Sequence, residues 1–510
     1  MSAIKKIFFL FSFFISFIAL GQEHIAPLQE NVALQKQANT KRNTANKPTA
    51  LALPFFEDFT DANNPFPSSE RWADFNVYVN NTMGVNPVSR GVATFDALNK
   101  MGVPYDTVTS DMQVKADSLT SLAIDLSTNT PADSVYLSFF YQPKGYGFSP
   151  KPVDSLMLFM LKSNGVWEKV WAVNGDTLQP FRQVMISVTD TGYFNNNFQF
   201  RWINKATKGI SDSHWNLDYI RLDAGRSINN TTINDIAFTK DPTSILNDFS
   251  AMPMKHFRTN PGSFLATTQT ATLRNNGTAS QNVGTGYRAA VEAPATTLGN
   301  GNGNANLPSN TNQDINFTMY NAASFVPGNI NGRYAFENKY YCNSAYPNEP
   351  KANDTIVHRQ IFDNYFAYDD GTAEQSYFLN LSPSAPGITA VEYAMYTPDT
   401  LRGIAIRFAR QVPSASLKEF AIAVYRDITV NGGTDQIIYS EDFLFPKYED
   451  TVNKFAVYEF AQPQFLNTGV FYIGIIQPAG GTSDSLHIAL DANRTGSNHR
   501  CFKVLNNWEP

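Results

Sequence analysis

Oxygen donors carry the most legible chemistry in this chain. Glu57 lies in the opening run Leu53-Pro54-Phe55-Phe56-Glu57-Asp58-Phe59, Asp96 follows Gly91-Val92-Ala93-Thr94-Phe95, and Asp218 sits within Trp215-Asn216-Leu217-Asp218-Tyr219-Ile220. Carboxylates drawn from an opening strand, a mid-domain loop and a closing strand can gather round one hard cation, so Glu57, Asp96 and Asp218 form a candidate structural Ca2+ site. The alternative is that Glu57 and Asp218 accept backbone or Arg hydrogen bonds at strand ends. Asp369-Asp370-Gly371 is read as a turn, because Asp-Gly is a turn signal and Glu374 does not complete an EF-hand loop.

Nucleophilic and zinc chemistry find little support. His24, His214, His256, His358, His487 and His499 are isolated and lack the paired spacing that builds a metal site from one element. There is no zinc-protease helix, no Gly-x-Ser-x-Gly elbow and no Walker loop. The expectation is a non-enzymatic protein without catalytic residues; a hydrolase with an unrecognised active site is the alternative.

Aromatic side chains offer a different chemistry, stacking on sugar rings. Trp72, Trp167, Trp171, Trp202 and Trp215 alternate along apolar runs, where an aromatic more often fills an inter-sheet core than a platform. Lys144-Gly145-Tyr146-Gly147-Phe148 is the exception, since a glycine-flanked aromatic loop is expected to be exposed; Lys144, Tyr146 and Phe148 are the candidate contact residues. Cys342 and Cys501 are the only cysteines, either a candidate disulfide in an oxidising compartment or two thiols acting as small apolar residues.

The elements that must hold these groups are strands. The chain is rich in Phe, Tyr, Thr, Asn and Val and poor in Lys, Glu and Arg, which favours half-buried strands over long surface helices. A net charge of −6 over 510 residues leaves no basic field for a phosphate backbone, so nucleic acid is not an expected partner. Lys5 and Lys6 followed by the apolar stretch Ile7 to Leu20 read as a secretory signal cleaved after Gly21, and no later segment is long and apolar enough to span a bilayer. The mature protein is therefore expected outside the cytoplasm, in the periplasm or at the cell surface.

The expected organisation is all-β, with three sandwiches in series: a signal peptide at 1–21, a flexible polar leader at 22–48, a jelly-roll-like sandwich at 49–225, a smaller immunoglobulin- or fibronectin-like sandwich at 226–358, and a second jelly-roll-like sandwich at 359–510. Runs such as Val135 to Tyr141, Leu156 to Leu161, Phe420 to Tyr425 and Val470 to Ile476, broken by Gly, Asn and Pro steps, supply the strands. The tract Gly299-Asn300-Gly301-Asn302-Gly303-Asn304 lacks apolar surface and is expected to be a mobile loop.

The order of the first domain's motifs, from the Phe-Glu opening through Arg71-Trp72-Ala73-Asp74 to Leu217-Asp218-Tyr219-Ile220, resembles the MAM-like, concanavalin-like jelly rolls of exported Bacteroidetes proteins. The resemblance implies that the opening and closing strands pair and that a cation sits near their ends; the cysteines of animal MAM domains are missing. The last domain, through Tyr365 to Glu374 and Pro398-Asp399-Thr400-Leu401-Arg402-Gly403, is similar to modules of proteins exported by or built into the type 9 secretion system. That context implies a surface adhesin-like cargo, or the plug subunit that closes the periplasmic end of the outer-membrane translocon. The implied partner is then a protein, the translocon itself, or a glycan, with a carbohydrate-binding module array as the alternative. No small sorting domain of the cargo type is recognised before Pro510.

Overall fold

The computed structural model describes residues 22–38, 50–60, 64–106, 112–292, 296–318, 332–344, 346–347, 349–381, 386–411, 413–429, 434–448, 455–480, 485–494, 496, 498–504 and 508–509. The signal-peptide segment lies outside them. The architecture is all-β, with three short α-helices and separate hydrophobic cores that follow one another along the chain.

In the first unit a four-stranded sheet of Gln113–Thr120, Phe200–Thr207, Ser155–Leu161 and Trp167–Asn174 faces a second sheet built round Trp215–Asp223. Sheet order departs from chain order, as in a jelly roll. The opening strand Phe55–Glu57 pairs antiparallel with the closing strand, Glu57 opposite Ile220. Strand alternation sends Leu137, Phe139 and Tyr141 from one sheet, and Leu156, Leu158 and Met160 from the other, into one core. Trp72 lies at its centre, edge-on to Phe55 and Phe200 and stacked on Phe59. Trp72, Trp202 and Trp215 are fully buried, Trp171 packs against the core, and only Trp167 leans on a surface partner, the Arg201 guanidinium. Trp72, Trp171, Trp202 and Trp215 therefore belong to the core, and Trp167 does not.

The middle unit packs a sheet of Ile236–Lys240, Gln269–Asn275 and Thr311–Phe317 on one of Thr296–Leu307, Gln281–Val291, Tyr334–Asn343 and Thr355–Phe362. Its core runs on through Phe362, four residues past the expected boundary. The Gly-Asn tract is not a loop: Thr296–Leu307 is a strand, paired along its length with Gln281–Val291. The glycines are what the strand needs there. A Cβ on Gly301 would come 2.6 Å from the Tyr287 ring, and one on Gly286 would come 2.3 Å from the Tyr341 ring.

The third unit has a six-stranded sheet centred on Gly469–Gln477 and Gly387–Met395, with Asp399–Ile406 paired to Ala456–Leu466. The segment expected as a flexible leader is ordered over Gln22–Ala26 and Val32–Ala38. The first of these is a strand of the third unit, antiparallel to Gln375–Asn380. Its polar side chains hid a backbone that completes a sheet edge. Glu23 then accepts from Tyr377 Oη at 2.9 Å and pairs with Lys503 at 2.7 Å. The helix starts at Asn31, whose Oδ1 accepts from the backbone N–H groups of Ala33 and Leu34.

Trp72→Ala should empty the centre of the first core and destabilise that unit by about 3–5 kcal/mol. Urea unfolding followed by tryptophan fluorescence measures this.

Candidate functional site

The structure does not bring Glu57, Asp96 and Asp218 together as one ligand set. Among the described residues no group of three or more His, Cys, Asp or Glu side chains could hold a metal ion. Each carboxylate is occupied by hydrogen bonds instead. Glu57 accepts from Phe59 N at 3.1 Å and Trp72 Nε1 at 3.0 Å, with Arg71 3.8 Å away. Asp96 accepts from Asn31 Nδ2 at 3.2 Å and Leu98 N at 3.0 Å. Asp218 takes three donors: Val88 N at 3.0 Å and Ser89 N at 2.8 Å on Oδ2, and Ser89 Oγ at 2.8 Å on Oδ1. Burial pushes Asp218 up to about 7 and Asp96 up to about 6 despite these bonds, because a charged carboxylate loses its water there. Both Glu57 and Asp218 accept backbone hydrogen bonds, Glu57 at the end of its strand and Asp218 inside the strand Trp215–Asp223.

The loop of Lys144, Tyr146 and Phe148 is not a free contact loop. Gly145 (φ +57°) lies so close to Met83 that a Cβ would be 2.0 Å from its carbonyl oxygen. Tyr146 N donates to that same oxygen at 2.9 Å, and Phe148 N donates to His214 Nδ1 at 3.0 Å. From the third unit, Gln375 Nε2 donates to Tyr146 O at 2.6 Å. The loop is therefore a joint between the outer two units, which its glycine pattern could not distinguish from exposure. Cys342 and Cys501 are both free. Cys342 faces the middle core and its thiol contacts Asp354 Oδ1 at 3.6 Å, whereas Cys501 belongs to the third unit's sheet.

Two Ser-His contacts exist among the described residues: Ser376 Oγ to His487 Nδ1 at 3.2 Å, where the serine hydroxyl donates to Ala26 O at 3.1 Å, and the more deeply buried Ser211 Oγ to His214 Nε2 at 3.3 Å. Neither is arranged as nucleophile and base. His214 Nδ1 accepts from Phe148 N, so the neutral ring carries its proton on Nε2 and donates to Ser211, while Ser211 Oγ donates to Asp96 O at 2.6 Å. Burial lowers His214 to about 4, which holds that neutral form.

A further shaped surface is the outer face of the middle unit's four-stranded sheet, which sequence reading missed. Alternation puts Val283 and Ala289 of one strand and Phe336, Tyr340 and Cys342 of the next into the core, which leaves Gly284, Gly286, Arg288, Lys339, Tyr341 and Asn343 outward. On the strand beyond, the same rule turns Asn300, Asn302, Asn304 and Asn306 outward, opposite Arg288, Gly286, Gly284 and Asn282. Tyr341 lies across the Gly286 backbone, and its hydroxyl donates to Asn302 Oδ1 at 2.8 Å. Tyr287, Arg288, Asn300, Asn302, Lys339 and Tyr341 help line an open cavity of about 660 Å³, within the about 300–1,000 Å³ of ordinary ligand sites. The signal was in the sequence: Gly and Asn alternate with the period of a strand.

No family model matches the chain, and no curated protein matches it. Among solved structures it is similar to the K1 cleaved adhesin domain of Lys-gingipain from Porphyromonas gingivalis W83, at 13% identity over 34% of this chain and 99% of that one, TM-score 0.23. A carbohydrate-binding module from Caldicellulosiruptor saccharolyticus, CBM27-1 in complex with mannohexaose, matches at 12% identity over 33% of this chain and 96% of that one, TM-score 0.23. The CBM22-1-CBM22-2 tandem domain of Paenibacillus barcinonensis Xyn10C matches at 9% identity over 62% and 98%, TM-score 0.22. Likenesses this faint carry no weight for ligand or partner.

Asp218 gives a pH prediction. Its folded value of about 7 exceeds the ordinary 3.8, so the native state holds the proton more tightly and Asp218 opposes folding increasingly as pH rises from about 4 to about 7. The cost reaches on the order of 4 kcal/mol. Asp218→Asn, whose amide keeps the acceptor for Val88 and Ser89 N–H, should remove that slope; urea midpoints for both proteins across pH 4–7 measure it.

Proposed function

We propose that this chain is an exported, non-enzymatic β-sandwich protein that binds a protein or glycan partner, working in type 9 secretion as a surface adhesin-like cargo or as the plug of the outer-membrane translocon. The observation that carries the binding reading is the outer face of the middle sandwich. There the Tyr341 ring sits over Gly286, a row of carboxamides runs beside it, and an open cavity is lined by Tyr341, Asn300 and Asn302. The arrangement of Ser211–His214 and of Ser376–His487 supports the non-enzymatic part, because each serine hydroxyl donates to a backbone carbonyl, of Asp96 and Ala26, and not to its histidine. The secretion context rests on the sequence resemblance, and among the described residues no helix is long and apolar enough to cross a membrane.

The test is capture from native envelope by the tagged full-length chain and by Tyr341→Ala, with fractionation of where the chain resides. The expected result is a partner recovered by the parent and reduced about tenfold with the variant, the effect of ~1.4 kcal/mol at the contact. Recovery of the translocon from the periplasmic fraction selects the plug, and a surface-exposed chain holding glycan or another envelope component selects the adhesin. Equal recovery by both chains removes this face from the function.

A further inference from the structure

Two cations on this face are left without a counter-charge. Arg288 and Lys339 stand directly opposite each other on neighbouring strands. Like charges so placed destabilise a sheet unless something answers them. Among the described residues the Arg288 guanidinium reaches only Thr297 Oγ1, at 3.4 Å, and Lys339 makes no ion pair. Glu337, on the same face two residues from Lys339, is not paired to it. The neighbouring cations are treated differently: Arg359 is held by Glu292, and Lys351 by Glu349 and Asp354. Lys115 and Lys205 also stand opposite each other, in the first unit; what sets Arg288 and Lys339 apart is that they line the cavity, whose wall they share with the Lys351–Asp354 pair.

The next row of the same sheet reads Asn302, Gly286, Tyr341, Thr355, and the cation row itself ends on Asn300. Carboxamides at two-residue steps along one strand stand about 7 Å apart, and each offers donors and an acceptor to a hydroxyl pair. The Tyr341 ring, fixed by its bond to Asn302, presents a flat face to the C–H side of a pyranose. A bare phosphate would use the cations and leave ring and amides idle; a neutral sugar would use ring and amides and leave the cations unanswered.

We propose that the outer face of the middle sandwich binds an anionic saccharide, its carboxylate or sulfate ester held between Arg288 and Lys339 and its ring laid on Tyr341. This names the ligand class of the binding function above and rests on that reading. The planar guanidinium pairs with either anion through two parallel hydrogen bonds, and Lys339 adds a point charge.

The test is an array of uronate, sialate and sulfated oligosaccharides printed beside their methyl-esterified or desulfated counterparts, with single-stranded DNA as a polyanion control. It is probed with the full-length chain, Lys339→Gln and Tyr341→Ala. At least one acidic sugar should bind about tenfold or more above its neutral counterpart. Lys339→Gln should erase that preference while sparing the neutral sugar, and Tyr341→Ala should lose both; whether ester or sulfate removal matters tells the two anions apart. Both residues face outward, so unchanged unfolding midpoints establish that the variants are folded. Equal binding of acidic and neutral forms, DNA bound as tightly as any sugar, or binding unchanged in both variants overturns the inference. An array without hits does so too. In that last case a Tyr341-dependent partner in the envelope capture leaves the proposed function standing, and its absence ends both.

Discussion

Alternation along paired antiparallel strands is the constraint on which everything else here depends. Each strand commits every second side chain to the interior of its sandwich, and a slip of one residue would exchange the two faces. Burial of the Phe, Leu and Trp set therefore fixes the outward set as well. The middle unit shows this most directly. With Val283, Ala289, Phe336 and Tyr340 inside, the Gly284–Gly286 floor, the Arg288–Lys339 pair and the asparagine row have only the outer face left to occupy.

Polar side chains tie the three units together. Asn353 Nδ2 donates to Asp235 Oδ2 at 3.0 Å and reaches Asp58 Oδ2 at 3.4 Å, Asn276 Nδ2 donates to Val88 O at 2.9 Å, and Gln375 clamps the loop at Tyr146. The strand Gln22–Ala26 joins the third unit's sheet, and Asn31, five residues further on, bonds Asp96 of the first unit. Several of these contacts use carboxylates that burial raises, Asp58, Asp96 and Asp235 among them. The carboxylates that sequence reading assigned to a cation are thus spent separately: Glu57 at a strand end, Asp218 within a strand on Val88 and Ser89, and Asp96 at a joint through Asn31. Their burial tunes stability with pH.

The middle face differs from these joints in its outer contacts. A buried carboxylate such as Asp218 spends its lone pairs on Val88 and Ser89, whereas Lys339, Asn300 and Asn302 line an open cavity. Groups that folding leaves unpaired at a cavity are the ones a ligand can pair with. The same contrast separates Tyr146, whose backbone is taken up by Met83 and Gln375, from Tyr341, whose ring is fixed yet accessible.

Composition and periodicity by themselves determined the all-β class and the three successive sandwiches, while the pairing of the Phe55–Glu57 and Trp215–Asp223 strands was implied by the resemblance alone. The class and the sandwiches follow from local apolar alternation and turn residues, which are written in consecutive positions. Burial of Trp72, Trp202 and Trp215 followed from the same alternation. Only the tertiary structure decided which carboxylates meet, because Glu57, Asp96 and Asp218 are far apart in the chain and their partners, such as Ser89 and Asn31, are chosen by the packing of loops. It alone turned the polar N-terminal segment into a strand, since main-chain hydrogen bonds to a distant sheet edge leave no mark on side-chain pattern. It also made a strand of a Gly-Asn tract with low β-propensity, where rings from neighbouring strands fill the space that the glycines leave.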